Sequence, residues 1–142
     1  MSRKYSDDKA RFEEANRRNK DCVFDALAKA GIMQVLVAFD GEGDQGQMEH
    51  ASAQADGKTV ELPAVTLSLW IADFGATELT SRSFDLREGV EHLCYGHLEE
   101  QHGGWEIDDG SFGEFTFDVA KRKITLEFYG RIVETAHSRD IF

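Results

Sequence analysis

Over most of its length this chain is poor in basic residues, and it is nearly devoid of proline and cysteine. Residues 40 to 118 hold only three cations, Lys58, Arg82 and Arg87, against eighteen carboxylates, net −15. A surface so short of Lys and Arg has little with which to neutralise phosphates, which argues against a generic nucleic-acid binder. No apolar run approaches the roughly eighteen residues of a membrane span, and the charged stretch Met1 to Lys20 has no signal-peptide core. The expected compartment is therefore the cytoplasm, without membrane contact. The two cysteines, Cys22 and Cys94, fall in segments that read as amphipathic helix, so they are expected to be small core hydrophobes and not a disulfide framework. The carboxylates around Cys94 disfavour a reactive thiolate.

Several catalytic patterns are missing as well. There is no Gly-x-Ser-x-Gly elbow, no phosphate loop ending in Gly-Lys-Ser/Thr, no Cys-x-x-Cys and no dinucleotide fingerprint after a strand. The sequence offers no motif for an enzyme, and a non-catalytic protein is the expectation.

What remains suits one folded domain: 142 residues, 41% hydrophobic, with ten phenylalanines and a formal net charge of −11. Ser6 to Ala30 reads as a helix whose apolar stripe, Phe12, Ala15, Val23, Ala26, Leu27 and Ala30, is dense only in its second half. Residues 1 to 20 carry seven basic and four acidic groups, net +3. They form a basic front half expected to project from the body or lie loosely on it, ahead of a single α+β domain over residues 21 to 142. Ile32 to Phe39 and Gln47 to Gln54 read as strands, the second placing Met48, His50 and Ser52 on one face. Asp56-Gly57 is a tight turn into a short strand over Thr59 to Leu62, and Ala64 to Phe74 alternates as a further strand. Asp85 to His102 is a helix opened by an Asp85/Glu88 capping box and closed by Gly103-Gly104. Gly113 to Val119 and Ile124 to Val133 form a hairpin, followed by a polar tail that ends in Ile141-Phe142. The expected fold is α+β, a mainly antiparallel sheet of hairpins with two helices packed on one face.

The acidic residues concentrate in two glycine-rich loops. Asp40, Glu42 and Asp44 alternate with Gly41 and Gly43, as oxygen ligands do in the first half of a calcium loop. The match stops there, because Gln45 stands at the sixth position where a calcium loop requires glycine. The second loop, residues 106 to 114, contains Asp108 and Asp109. If the loops meet, their five carboxylates would either raise one another's pKa values or recruit Ca²⁺ or Mg²⁺. Otherwise no cofactor is implied. His92, His97 and His102 recur every five residues on one helix, a spacing that splays them about 140° apart per step. They make no metal triad by themselves, and a histidine at the helix C-terminus is accounted for by the helix dipole. Trp70, Trp105, Phe112 and Tyr129 are read mainly as core aromatics.

The segments VLVAFDGEGDQGQME and LCYGHLEEQHGGWEIDDGSFGEFTFDVAKRKITLEF resemble an uncharacterised family of small bacterial and mobile-element proteins, known only as a domain of unknown function. The resemblance covers about Ile32 to Phe128. It rests on Asp40 to Gly46, Gln47, Glu49, Gly103-Gly104-Trp105-Glu106, Asp109-Gly110, Gly113, Phe115 and Phe117. It implies no activity and no catalytic residues. The functional expectation is therefore an acidic binding module that engages a basic protein surface with Asp40, Glu42, Asp44, Glu99, Glu100, Asp108 and Asp109. Such a module could inhibit nucleic-acid machinery by mimicking nucleic acid, in the manner of anti-restriction or anti-CRISPR proteins. The alternative is a divalent-metal protein or metal-dependent hydrolase that uses Asp40, Glu42, Asp44, Asp108 and Asp109.

Overall fold

A computed structural model describes residues 2–42, 45–72, 78–102, 110–130 and 136–142. Helix α1 spans Ser2–Lys29, and strands β1 (Gln34–Glu42), β2 (Gln45–Ala55) and β3 (Lys58–Val60) follow it. A separate hairpin, β4 (Thr66–Ile71) and β5 (Thr80–Asp85), leads into helix α2 (Leu86–Gln101). Strands β6 (Ser111–Asp118), β7 (Lys123–Gly130) and β8 (Ala136–Ile141) complete the chain. β3-β2-β1-β6-β7-β8 form one sheet, and every pairing in it is antiparallel. This is the expected single-domain α+β architecture.

Alternation along the strands divides the sheet into two faces. Val35, Val37, Phe39, Phe115, Phe117, Ile124 and Leu126 point inward and are buried against Phe24 and Leu27 of α1 and Val90, Cys94 and Leu98 of α2. The Phe24 and Phe117 rings lie 5.8 Å apart, which places α1 directly on this face. Gly113 occupies a tight point in the same layer. A Cβ there would stand 2.1 Å from the Glu127 carbonyl oxygen and 2.8 Å from the Phe39 ring, so the Phe39 side chain fills the space over a bare backbone.

The hairpin β4-β5 packs on the helices through Leu67 and Leu69, both buried. Its open edge is closed by a side chain. Asn19, 1% exposed in the middle of α1, accepts from the Trp70 backbone N–H (2.6 Å) and donates to the Trp70 carbonyl (2.8 Å), as a neighbouring strand would. One helical turn on, the Cys22 thiol lies 3.8 Å from the Ser68 carbonyl. Arg18 sits over the Trp70 ring at 5.2 Å. The front half of α1 is thus less detached than its sparse apolar stripe predicts, since Ala15 and Asn19 are both buried.

Two local expectations need correction. Asp40 to Glu42 are strand residues, because β1 continues to Glu42 and β2 restarts at Gln45. A register shift between Ala38 and Phe39 sets Met48 opposite Phe39 in the backbone ladder, while His50 and Ser52 stand opposite Ala38 and Leu36. The expectation that Met48, His50 and Ser52 share one face lies outside the described residues, since the Met48 and His50 side chains are not among them. The polar tail is strand β8, paired along β7 from Gly130↔Ala136 to Thr125↔Ile141. Asp56-Gly57 does form the tight turn, both residues taking positive φ (51° and 74°).

Candidate functional site

The main polar cluster on the inner face is built from α2 and β8. His97, in the last turn of α2, and His102, the residue after it, both direct Nε2 at the same carboxylate oxygen, Oδ2 of Asp140. The distances are 2.9 and 2.6 Å, and one nitrogen from each ring and the Asp140 oxygen all lie within 4.8 Å of one another. Side chains are 12%, 17% and 27% exposed for His97, His102 and Asp140.

A continuous helix would hold the two histidines on different sides. Convergence occurs because the helix ends between them. His102 has left helical geometry (φ −134°, ψ 48°) while its N–H still bonds the Leu98 carbonyl, and this swings its ring back toward the sheet. Each ring is then clamped by an aromatic on the inner face. His97 stacks on Phe142 at 3.7 Å with the planes 3° apart, and His102 stacks on Phe128 at 4.0 Å. Strand register explains the spacing of this frame. Phe128 stands opposite Ser138, Leu126 opposite Asp140, and Ile124 exchanges backbone hydrogen bonds with Phe142. Asp140 therefore comes up between the two phenylalanines that hold the histidines.

Burial alone would raise the Asp140 carboxyl, but hydrogen bonds from His97 and His102 outweigh it and hold the group below its ordinary value. The carboxylate is ionised and only accepts, so each Nε2 presents a proton to it. Nearby on β8, the Ser138 hydroxyl is buried with no hydrogen-bond partner among the described residues. His92 belongs elsewhere. It packs on Phe84 with ring centres 5.2 Å apart, and burial, helped by Arg82, lowers its pKa.

Chemically, the arrangement offers two imidazole nitrogens and one carboxylate oxygen, the donor set of many zinc and non-haem iron centres. Ligand bonds of about 2.1 Å in a tetrahedron separate donors by about 3.4 Å, so an ion would need the two nitrogen–oxygen contacts, 2.9 and 2.6 Å, to widen. With three donors from the protein, positions would be left for water or an outside ligand.

The acidic residues singled out in the sequence are distributed differently. Asp40 lies on the outer face of the sheet, between Gln47 and Phe112 in register, and Glu42 is the last residue of β1. Gly41 stands opposite Ser111, so the chain leaves β1 and enters β6 side by side at one end of the sheet. Asp44, Asp108, Asp109 and Trp105 lie outside the described residues. Glu99 and Glu100 are exposed on α2. On the outer face Phe112 stacks on Tyr129, and Tyr129 on His137, at 5.0 and 4.7 Å. The next row sets Glu114 opposite Glu127, whose carboxylate receives His137 at 2.5 Å and Arg139. Those two bonds, His137 first, lower the Glu127 pKa. Phe112 and Tyr129 are therefore surface-layer aromatics and not core.

Fold and cluster together define an α+β domain with a two-histidine, one-carboxylate centre at the C-terminal end of its second helix. The chain belongs to a family of unknown function, DUF6878, which matches residues 15–142. That span is wider than the resemblance read from the glycine and acid motifs, and it contains all three residues of the cluster. No curated protein and no solved structure matches the chain.

Proposed function

We propose that this protein binds a divalent transition metal through His97, His102 and Asp140. The convergence of both Nε2 atoms on Asp140 Oδ2 carries the reading. Nitrogen donors favour zinc-like ions over the Ca²⁺ or Mg²⁺ that carboxylate loops would take. Each imidazole must be neutral to ligate, with its remaining proton on Nδ1, so protonation competes with the metal and affinity falls as pH drops. Calorimetry of chelator-treated protein with Zn²⁺, and absorption spectroscopy with Co²⁺ as a reporter, test it. One ion per chain is expected, with affinity reduced at least about tenfold in His102→Ala and in Asp140→Asn. Absence of Zn²⁺ binding would reduce the cluster to a hydrogen-bonded triad. Zinc binding that survives both substitutions would move the site away from it.

The outer face favours a second reading, an acidic surface that engages a basic protein. Asp40, Glu114, Asp118 and Glu127 alternate out of the core layer on β1, β6 and β7, and no described helix lies over them. Arginines of a partner could pair with these carboxylates and stack on Phe112 and Tyr129. Inhibition of nucleic-acid machinery by mimicry is one form this binding could take.

A further inference from the structure

A cavity of about 390 Å³ opens between α1, α2 and the end of the chain, with His97 among its lining residues. Leu93, Ile124 and Phe142 supply apolar walls, and Arg17 and Lys20, one turn apart on α1, stand at it with Asn16. Among the described lining side chains the one carboxylate is Glu100. The two cations differ in availability. Arg17 is held by Glu14, at 2.5 Å from Nη2, whereas Lys20 is half-buried and makes no hydrogen bond or ion pair among the described residues. In a molecule of net charge −11 this pocket opens on the front half of α1, where residues 1 to 20 are net +3.

We infer that this cavity binds a small amphipathic monocarboxylate, its charge at Lys20 and its apolar body against Leu93, Ile124 and Phe142. Its volume falls within the usual range for small-molecule sites, roughly 300 to 1,000 Å³, and its mixture of apolar wall and few polar groups is the usual composition. A polyphosphate fits poorly, because one available ammonium cannot neutralise several charges and the apolar walls offer no donors. A neutral apolar molecule would leave the half-buried ammonium without a counter-charge. The inference does not need the metal. His97 borders both sites, but the contacts invoked for the ligand come from α1, Leu93, Ile124 and Phe142.

The test is a titration of the full chain, stripped with chelator, by sodium 4-phenylbutyrate and separately by the uncharged 4-phenylbutanol, followed by amide NMR shifts. Expected are saturating shifts at Lys20, Leu93 and Phe142 with a dissociation constant of about 1 mM or tighter. The alcohol should bind at least about tenfold more weakly. Lys20→Glu should weaken the acid about tenfold and leave the alcohol unchanged, and as a substitution at a helix surface it should not disturb folding. Shifts confined to other residues, no shift at about 10 mM acid, equal binding of acid and alcohol by the unaltered protein, or an undiminished preference for the acid in Lys20→Glu would overturn the inference. Because metal is absent throughout, failure here is distinct from failure of the zinc titration.

Discussion

At the scale of single residues, two polar side chains set inside apolar surroundings do work that no apolar residue could. Asn19 satisfies both backbone groups of Trp70 at the edge of β4. Asn19→Ala would leave a buried N–H and C=O unpaired, and a loss of about 2 kcal/mol or more is expected in chemical denaturation. Asp140 is the other. Its carboxyl titrates lower in the folded chain than in the unfolded one, so the unfolded state takes up the proton first as pH falls. The stability it supplies is complete above the ordinary carboxylate value of about 4 and disappears as pH falls through the lower folded value. Metal-free Asp140→Asn should therefore lose less stability than the unaltered protein when denaturation midpoints are compared from pH 5 downward to about pH 3. An identical slope in both would mean that the histidines do not hold the carboxylate. Asn19 and Asp140 were both invisible as key residues in the sequence, where each stands in a charged, polar run. Their roles depend on partners 51 and about 40 residues away.

Among elements, α2 was the most legible. Its Asp85/Glu88 capping box is present as read, with the Glu88 N–H donating to Asp85 Oδ1 at 2.8 Å and the Asp85 N–H to Glu88 Oε1 at 2.9 Å. Asp85 also ends β5, so this cap fixes the angle at which the hairpin turns into the helix that carries both histidines. Asp85→Ala should cost about 1 kcal/mol in thermal or chemical unfolding. It should also weaken zinc binding little, since the metal end of α2 lies four turns away; a large loss of affinity would reveal that the cap positions the cluster. β8 was the least legible element. Its inward residues Ser138 and Asp140 are polar, so hydrophobic alternation, the main signal for a strand, is absent until Phe142. β5 has the same defect, being exposed along almost its whole length. The histidine spacing misled for a related reason: helical angles apply only while the helix lasts, and His102 lies just beyond its end.

For the whole molecule, charge is the governing property. A body of net −15 over residues 40 to 118 beside a +3 helix segment makes a strongly polarised particle. If the outer face takes a basic partner, binding should weaken steeply between about 50 and 200 mM salt, and Glu114→Lys should slow association more than it speeds dissociation. Surface-immobilised partner candidates with polybasic segments would report both rates, and salt-insensitive binding would remove the electrostatic reading. No described helix is long and apolar enough to cross a membrane, and α1, though 28 residues long, is too charged to do so.

Composition, period and turn chemistry determined by themselves the α+β class, both helices, the β6-β7 hairpin, the Asp56-Gly57 turn and the burial of Cys94. All of these are written within a few residues of chain, where local backbone preference and the spacing of apolar groups act. Tertiary structure alone decided which polar groups meet. Antiparallel pairing of β7 with β8 carried Asp140 under the end of α2, and the stacking of Phe128 and Phe142 on two imidazoles aimed both at it. Such a meeting is a property of register and helix ending, summed over long-range contacts, and no short window of sequence contains it.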